Sequence, residues 1–143
     1  MSDLPDIEIG TVVPALERTI ELPDMVAYAG STWDWHKLHY DTDYLAAKRV
    51  PAPVVDGQIF GALLAEQLLD WLGPRAVLRT LHFRFKALVF AGETIRCVAT
   101  VTAVEPDPDG AGDLVTVESR VEVVGDKGRV AVAPAGATVV VPR

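Results

Sequence analysis

Cysteine is nearly absent: Cys97 stands alone in 143 residues. A disulfide framework and a Cys-based zinc site both need more thiols than that, so neither is open to this chain. Basic residues are the minority, thirteen Lys and Arg against twenty Asp and Glu, for a formal net charge of −7. A general nucleic-acid binder needs a basic face, so no nucleic-acid partner is expected. No run of ~18 apolar residues occurs, which excludes a membrane-spanning helix. The opening MSDLPDIEIG is acidic. It lacks the cationic start and apolar stretch of a secretory signal, and a soluble cytoplasmic protein with no membrane partner is the expectation. What the chain does have is apolar residues, 50% of its length. That is too many for a disordered chain. The length suits one domain covering residues 1–143.

The chain divides into a mixed first half and a strand-rich second half. Residues 7–21 read as an extended opening broken at Pro14. Pro23 and Asp24 favour a helix start, continued to about Ser31. The stretch STWDWHKLHYDTD has neither helical nor strand periodicity and reads as an ordered loop. YLAAKR then forms a short helical turn, ended by Pro51 and Pro53. The best-defined element is 57–72, GQIFGALLAEQLLDWL, with Asp56 as N-cap and Gly73-Pro74 as stop. A helix this apolar on nearly all sides is a buried one.

Four strand-like segments follow, at 80–87, 94–104, 114–124 and 129–141. In the first, Leu81, Phe83, Phe85 and Ala87 alternate with His82, Arg84 and Lys86. Short turns between consecutive strands predict antiparallel hairpins. The class is therefore α+β, with an antiparallel sheet wrapped around one long central helix, the hot-dog arrangement. Such a helix would also be covered well by a second subunit.

Functional side chains concentrate in Trp33-Asp34-Trp35-His36-Lys37-Leu38-His39-Tyr40-Asp41. A carboxylate and an imidazole in one ordered loop, Asp34 and His39, can hold a water and exchange acid and base roles. The plainer reading is a polar loop whose His and Asp cap nearby backbone. A metal site from His36, His39 and Asp34, Asp41 or Asp43 lacks a diagnostic ligand spacing, and no metal is expected. Gly57 sits at the first turn of the buried helix, where a backbone N–H is unpaired and negative charge is favoured. It is an oxyanion-stabilising donor, or a glycine that merely permits a tight entry. His82, Arg84 and Lys86 would share one strand face, either an ordinary solvated face or a short cationic strip for a phosphate-bearing carrier.

The segment AGSTWDWHKLHYDTDYLAA resembles the hydratase motif of the MaoC-like (R)-specific enoyl-CoA hydratases and acyl dehydratases. Asp34 and His39 match that motif's Asp and His, and Leu38 and Asp41 match their neighbours. PAPVVDGQIFGALLAEQL is similar to the family's entry into its central helix, and FRFKALVFAGETI to its strand and turn. The sequence departs where His36 stands for the usual Asn, Lys37 for Pro, Trp33 for Gly, Asp56 for a His, and Leu88 for Pro.

The resemblance implies a hot-dog fold and reversible hydration of a trans-2-enoyl thioester. Asp34 and His39 would be catalytic, with Gly57, His36 and Asp56 around the oxyanion and substrate. Arg84 and Lys86 would be weak candidates for the phosphates of coenzyme A. No cofactor is implied beyond coenzyme A as the acyl carrier. The assembly would be a homodimer, or a heteromer with a second hot-dog subunit in which this chain is the catalytic or a vestigial partner. A hot-dog thioesterase using a carboxylate such as Glu66, and a metal-dependent hydrolase, are the rivals.

Overall fold

The computed structural model describes residues 4–143. Strand β1 (Val12–Thr19) leads into helix α1 (Leu22–Thr32). A single 3-10 turn (Lys37–His39), helix α2 (Thr42–Ala47) and the long helix α3 (Gly57–Leu72) follow. Strands β2 (Val77–Phe85), β3 (Thr94–Pro106), β4 (Asp113–Val123) and β5 (Val130–Val141) complete the chain. No helix among the described residues is long and apolar enough to cross a membrane.

Helix α3 has the expected bounds for the expected reasons. The Asp56 carboxylate accepts from the Gln58 N–H at 3.0 Å, occupying one of the donors a helix start leaves free. Gly73 ends the helix with a positive φ of 84°, which favours glycine. Ile59, Phe60, Leu63, Leu64, Leu68 and Leu72 are buried against the sheet. The N-terminal half of α3 packs with Ile95, Cys97, Val121 and Val132. The C-terminal half packs with Val101, Val115, Val117 and Val139. Two glycines let the sheet approach closely. A Cβ on Gly57 would fall 2.4 Å from the Phe85 ring, and one on Gly61 2.6 Å from the Phe83 ring.

The sheet is wholly antiparallel in the order β1-β3-β4-β5-β2. Hairpins join β3 to β4 and β4 to β5, as the short turns predict. β2 corrects the expectation: it pairs with β5 and not with β3. The reason lies in residues 86–93, which pair with the entry to α3 and not across a turn. Val55 N–H donates to the Val89 carbonyl and Ala91 N–H to the Pro53 carbonyl, both at 2.8 Å. At the other edge β1 carries a register shift between Val13 and Leu16, around Pro14. The buried Gln67 of α3 donates to the carbonyls of Pro14 and Cys97, each at 3.0 Å, and ties that irregular edge to the helix.

Candidate active site

The loop after α1 is held by its own polar side chains. Trp33 ends the helix in the left-handed region (φ 57°), a conformation glycine takes more readily. The Asp34 N–H then returns to the Ala29 carbonyl at 3.1 Å. The His36 Nδ1 accepts from the Leu38 N–H at 3.1 Å and so caps the 3-10 turn. Trp35 stacks edge-on with Trp33 and Tyr40, and the Tyr40 hydroxyl donates to the Trp35 carbonyl at 2.9 Å. Asp41 caps α2 through the Tyr44 N–H.

The turn ends at His39, whose Nδ1 lies 2.7 Å from the carbonyl oxygen of Val54. A carbonyl only accepts, so Nδ1 carries the proton and Nε2 is the free ring nitrogen. That nitrogen faces Asp56 Oδ2 at 3.9 Å. Asp34, His39 and Asp56 each offer one atom within 4.8 Å of the other two. Asp34 is exposed, His39 half-buried and Asp56 buried. One imidazole nitrogen and two carboxylates can share a water or ligate a divalent cation.

Three expected site residues therefore converge, and Gly57 adjoins them as the first residue of α3. Its N–H finds no acceptor among the described residues. His36 does not join the cluster; its ring serves the local turn and lies 6.0 Å, centroid to centroid, from that of His39. Asp41 and Asp43 stay outside it as well, and Asp56 takes the third place. Arg84 lies on the face of β2 opposite Phe83 and Phe85, and Lys86 follows the strand end; both are exposed. Glu66 is held in an ion pair with Arg18.

One neighbour escaped the sequence reading. Tyr28, on α1, has its hydroxyl pushed above the usual tyrosine range by burial, then by the charges of Asp56 and Asp34. Its helical spacing from the buried Met25, three positions earlier, was the available signal. Tyr28 also heads a cleft of about 250 Å³ that continues past Ile20, Ile59 and Leu63 to Thr19 and Arg18. The arrangement is thus an acid–base cluster at the amino end of α3, with a partly apolar groove alongside.

The MaoC like domain family matches residues 6–127. An (R)-specific enoyl-CoA hydratase of Rhodospirillum rubrum is 28% identical over 94 residues, 65% of this chain and 65% of that protein. The aligned region thus falls short of two thirds of that relative's length. The 3-oxo-4,17-pregnadiene-20-carboxyl-CoA hydratase beta subunit of Mycobacterium tuberculosis is 28% identical over 96 residues, 67% of this chain and 74% of that one. The solved (R)-hydratase from A. caviae involved in PHA biosynthesis shares 26% identity and a TM-score of 0.83, covering 95% of this chain and 98% of that chain. With its sheet curved around one central helix and most of its length matched, the chain belongs to the MaoC like domain family and has the hot-dog fold.

Proposed function

We propose that this chain is an (R)-specific enoyl-CoA hydratase, working reversibly as a 3-hydroxyacyl-thioester dehydratase. The observation that carries the reading is the convergence of Asp34 and His39 beside the unpaired N–H of Gly57. In the hydration direction a water held by the pair attacks C3 of the enoyl thioester. The pair takes one proton from that water and supplies one to C2. The electrons of the double bond move toward the thioester oxygen meanwhile. The Gly57 N–H, aided by the helix dipole, meets the charge that builds there. The reaction has no net redox change and calls for no redox cofactor.

Coenzyme A is the acyl carrier in this reading, because an acidic chain of net charge −7 is a poor docking surface for acidic acyl carrier protein. Arg84 and Lys86 are its candidate phosphate contacts. The similarity to a hydratase beta subunit supports a heteromer in which this chain supplies the dyad, with a homodimer as the alternative. A thioesterase mechanism has less support, since the helix carboxylate it would use, Glu66, is engaged by Arg18.

Asp34→Asn and His39→Ala are each expected to lower hydration of crotonyl-CoA by about 100-fold or more. The assay is loss of the conjugated thioester absorbance, with melting curves to show that the fold is kept. Near wild-type turnover by either folded variant would refute the dyad.

A further inference from the structure

The geometry points to Asp56 as a third catalytic group, one that holds the reacting water together with Asp34 and His39. This inference rests on the hydratase reading above. The Asp56 side chain is only 10% exposed, and its orientation is fixed. One oxygen is tied to the Gln58 N–H by the helix cap, which turns the other toward His39 Nε2. His39 is fixed from behind by its bond to the Val54 carbonyl. Neither group can turn away without breaking a backbone contact.

Distance decides what the three atoms can share. Three atoms no more than 4.8 Å apart always lie within 4.8/√3, or about 2.8 Å, of some common point. That is the length of a hydrogen bond to water. A tetrahedral zinc ion with ligands at ~2.0–2.2 Å needs them only ~3.4 Å apart. The gap between His39 Nε2 and Asp56 Oδ2 is 3.9 Å, wider than that. The triangle is the size of a water.

The third acceptor also changes the proton count. A water donates two hydrogen bonds, and three acceptor groups face it here. The third contact forms only if the cluster brings a proton of its own. Hydration needs that proton: the bond from the water oxygen to C3 forms and one water O–H bond breaks into the cluster. The π pair of the double bond meanwhile takes a proton from the cluster at C2. One proton enters and one leaves, and the cluster ends as it began. Asp56 makes the pocket hold an acid and a base at once.

Asp56→Asn and Asp56→Ser both keep an oxygen able to cap α3, so both are expected to melt close to the wild type. Each is expected to lower kcat for crotonyl-CoA hydration by about 100-fold, with KM moved by less than about threefold. A residue that only capped the helix would move the melting point and leave the rate. The inference is overturned if either folded variant turns over within about threefold of the wild type while Asp34→Asn is inert. It is overturned equally if a chelator abolishes wild-type activity and zinc restores it. A wild type inactive on every enoyl-CoA tried would instead remove the hydratase reading, and this inference with it.

Discussion

The contact between the glycines of α3 and the rings of β2 makes an unusual prediction, a substitution whose effect changes sign. A Cβ on Gly61 would stand 2.6 Å from two carbons of the Phe83 ring, about an ångström inside ordinary contact. Phe83 is half-buried and packed against the core cluster around Phe60 and Leu64, so the ring has little room to retreat. Overpacking of this kind costs about 1–3 kcal/mol. Alanine is meanwhile the better helix former by about 1 kcal/mol. Gly61→Ala is therefore expected to destabilise by up to about 2 kcal/mol. With Phe83→Leu already in place the clash is gone, and the same change is expected to stabilise by up to about 1 kcal/mol. Urea denaturation of the four proteins of this cycle gives the coupling directly. An effect of Gly61→Ala that is the same with and without the ring would refute the reasoning. Gly57→Ala is the internal control: Phe85 is 55% exposed and can swing outward, so the stability change is expected to be smaller.

Three further outcomes are expected. Cys97 is fully buried, and its thiol is pushed up to about 12, chiefly by burial and next by the charge of Glu66. A disulfide reagent at pH ~8 should label it only after denaturant is added; prompt labelling of the native protein would contradict this burial. Burial pushes Glu93 upward, but hydrogen bonds from Arg129 and the Phe90 N–H, with the Arg129 charge, outweigh it and hold the carboxyl below its usual range. A depressed carboxylate stabilises the fold above its unfolded-state pKa, and that contribution is lost as pH falls through its folded value. Thermal melts across the acid range should show this loss, and Arg129→Ala should flatten it. In hydrogen exchange, the Val54 and Val55 amides should be protected well beyond those of the turn at 125–128, because both are bonded to backbone carbonyls. Equal exchange at the two places would show that the entry to α3 is loose.

The legible parts of the sequence were those governed by neighbours along the chain. α3 could be bounded to the residue because its cap, apolar run and terminal glycine are all local. β3, β4 and β5 lie within two residues of the expected spans because alternation marks one buried face. β2 begins three residues earlier than the alternation indicates. Its first four residues include exposed Val77, Arg79 and Thr80, so an edge strand starts there without a burial pattern. Its pairing with β5 links positions such as Leu81 and Ala137, and nothing in the turn chemistry foretells that. The spacing of Asp34 and His39 marked them as a candidate pair, and the structure brings the two side chains together. The turn of His36 toward its own backbone was not, since it depends on the 3-10 geometry of the next three residues.

The site is precise because one short segment, residues 53–57, is bonded on three sides. Its Val54 carbonyl holds the ring of His39, and its Val54 N–H is bonded to the Leu38 carbonyl at 3.1 Å. Pro53 and Val55 face the other way and pair with the connection between β2 and β3. Its end, Asp56-Gly57, is the start of the buried helix. The absence of a β2–β3 hairpin is thus what makes the site possible. A tight turn between those strands would leave Pro53 and Val55 without these partners and would remove the brace behind Val54, the residue that anchors His39. The loop that bears Asp34 is exposed and carries only local bonds. His39 and Asp56 are each tied to backbone from outside their own side chains, Gly57 is part of the buried helix, and Asp34 is the one member of the cluster held by its own loop alone.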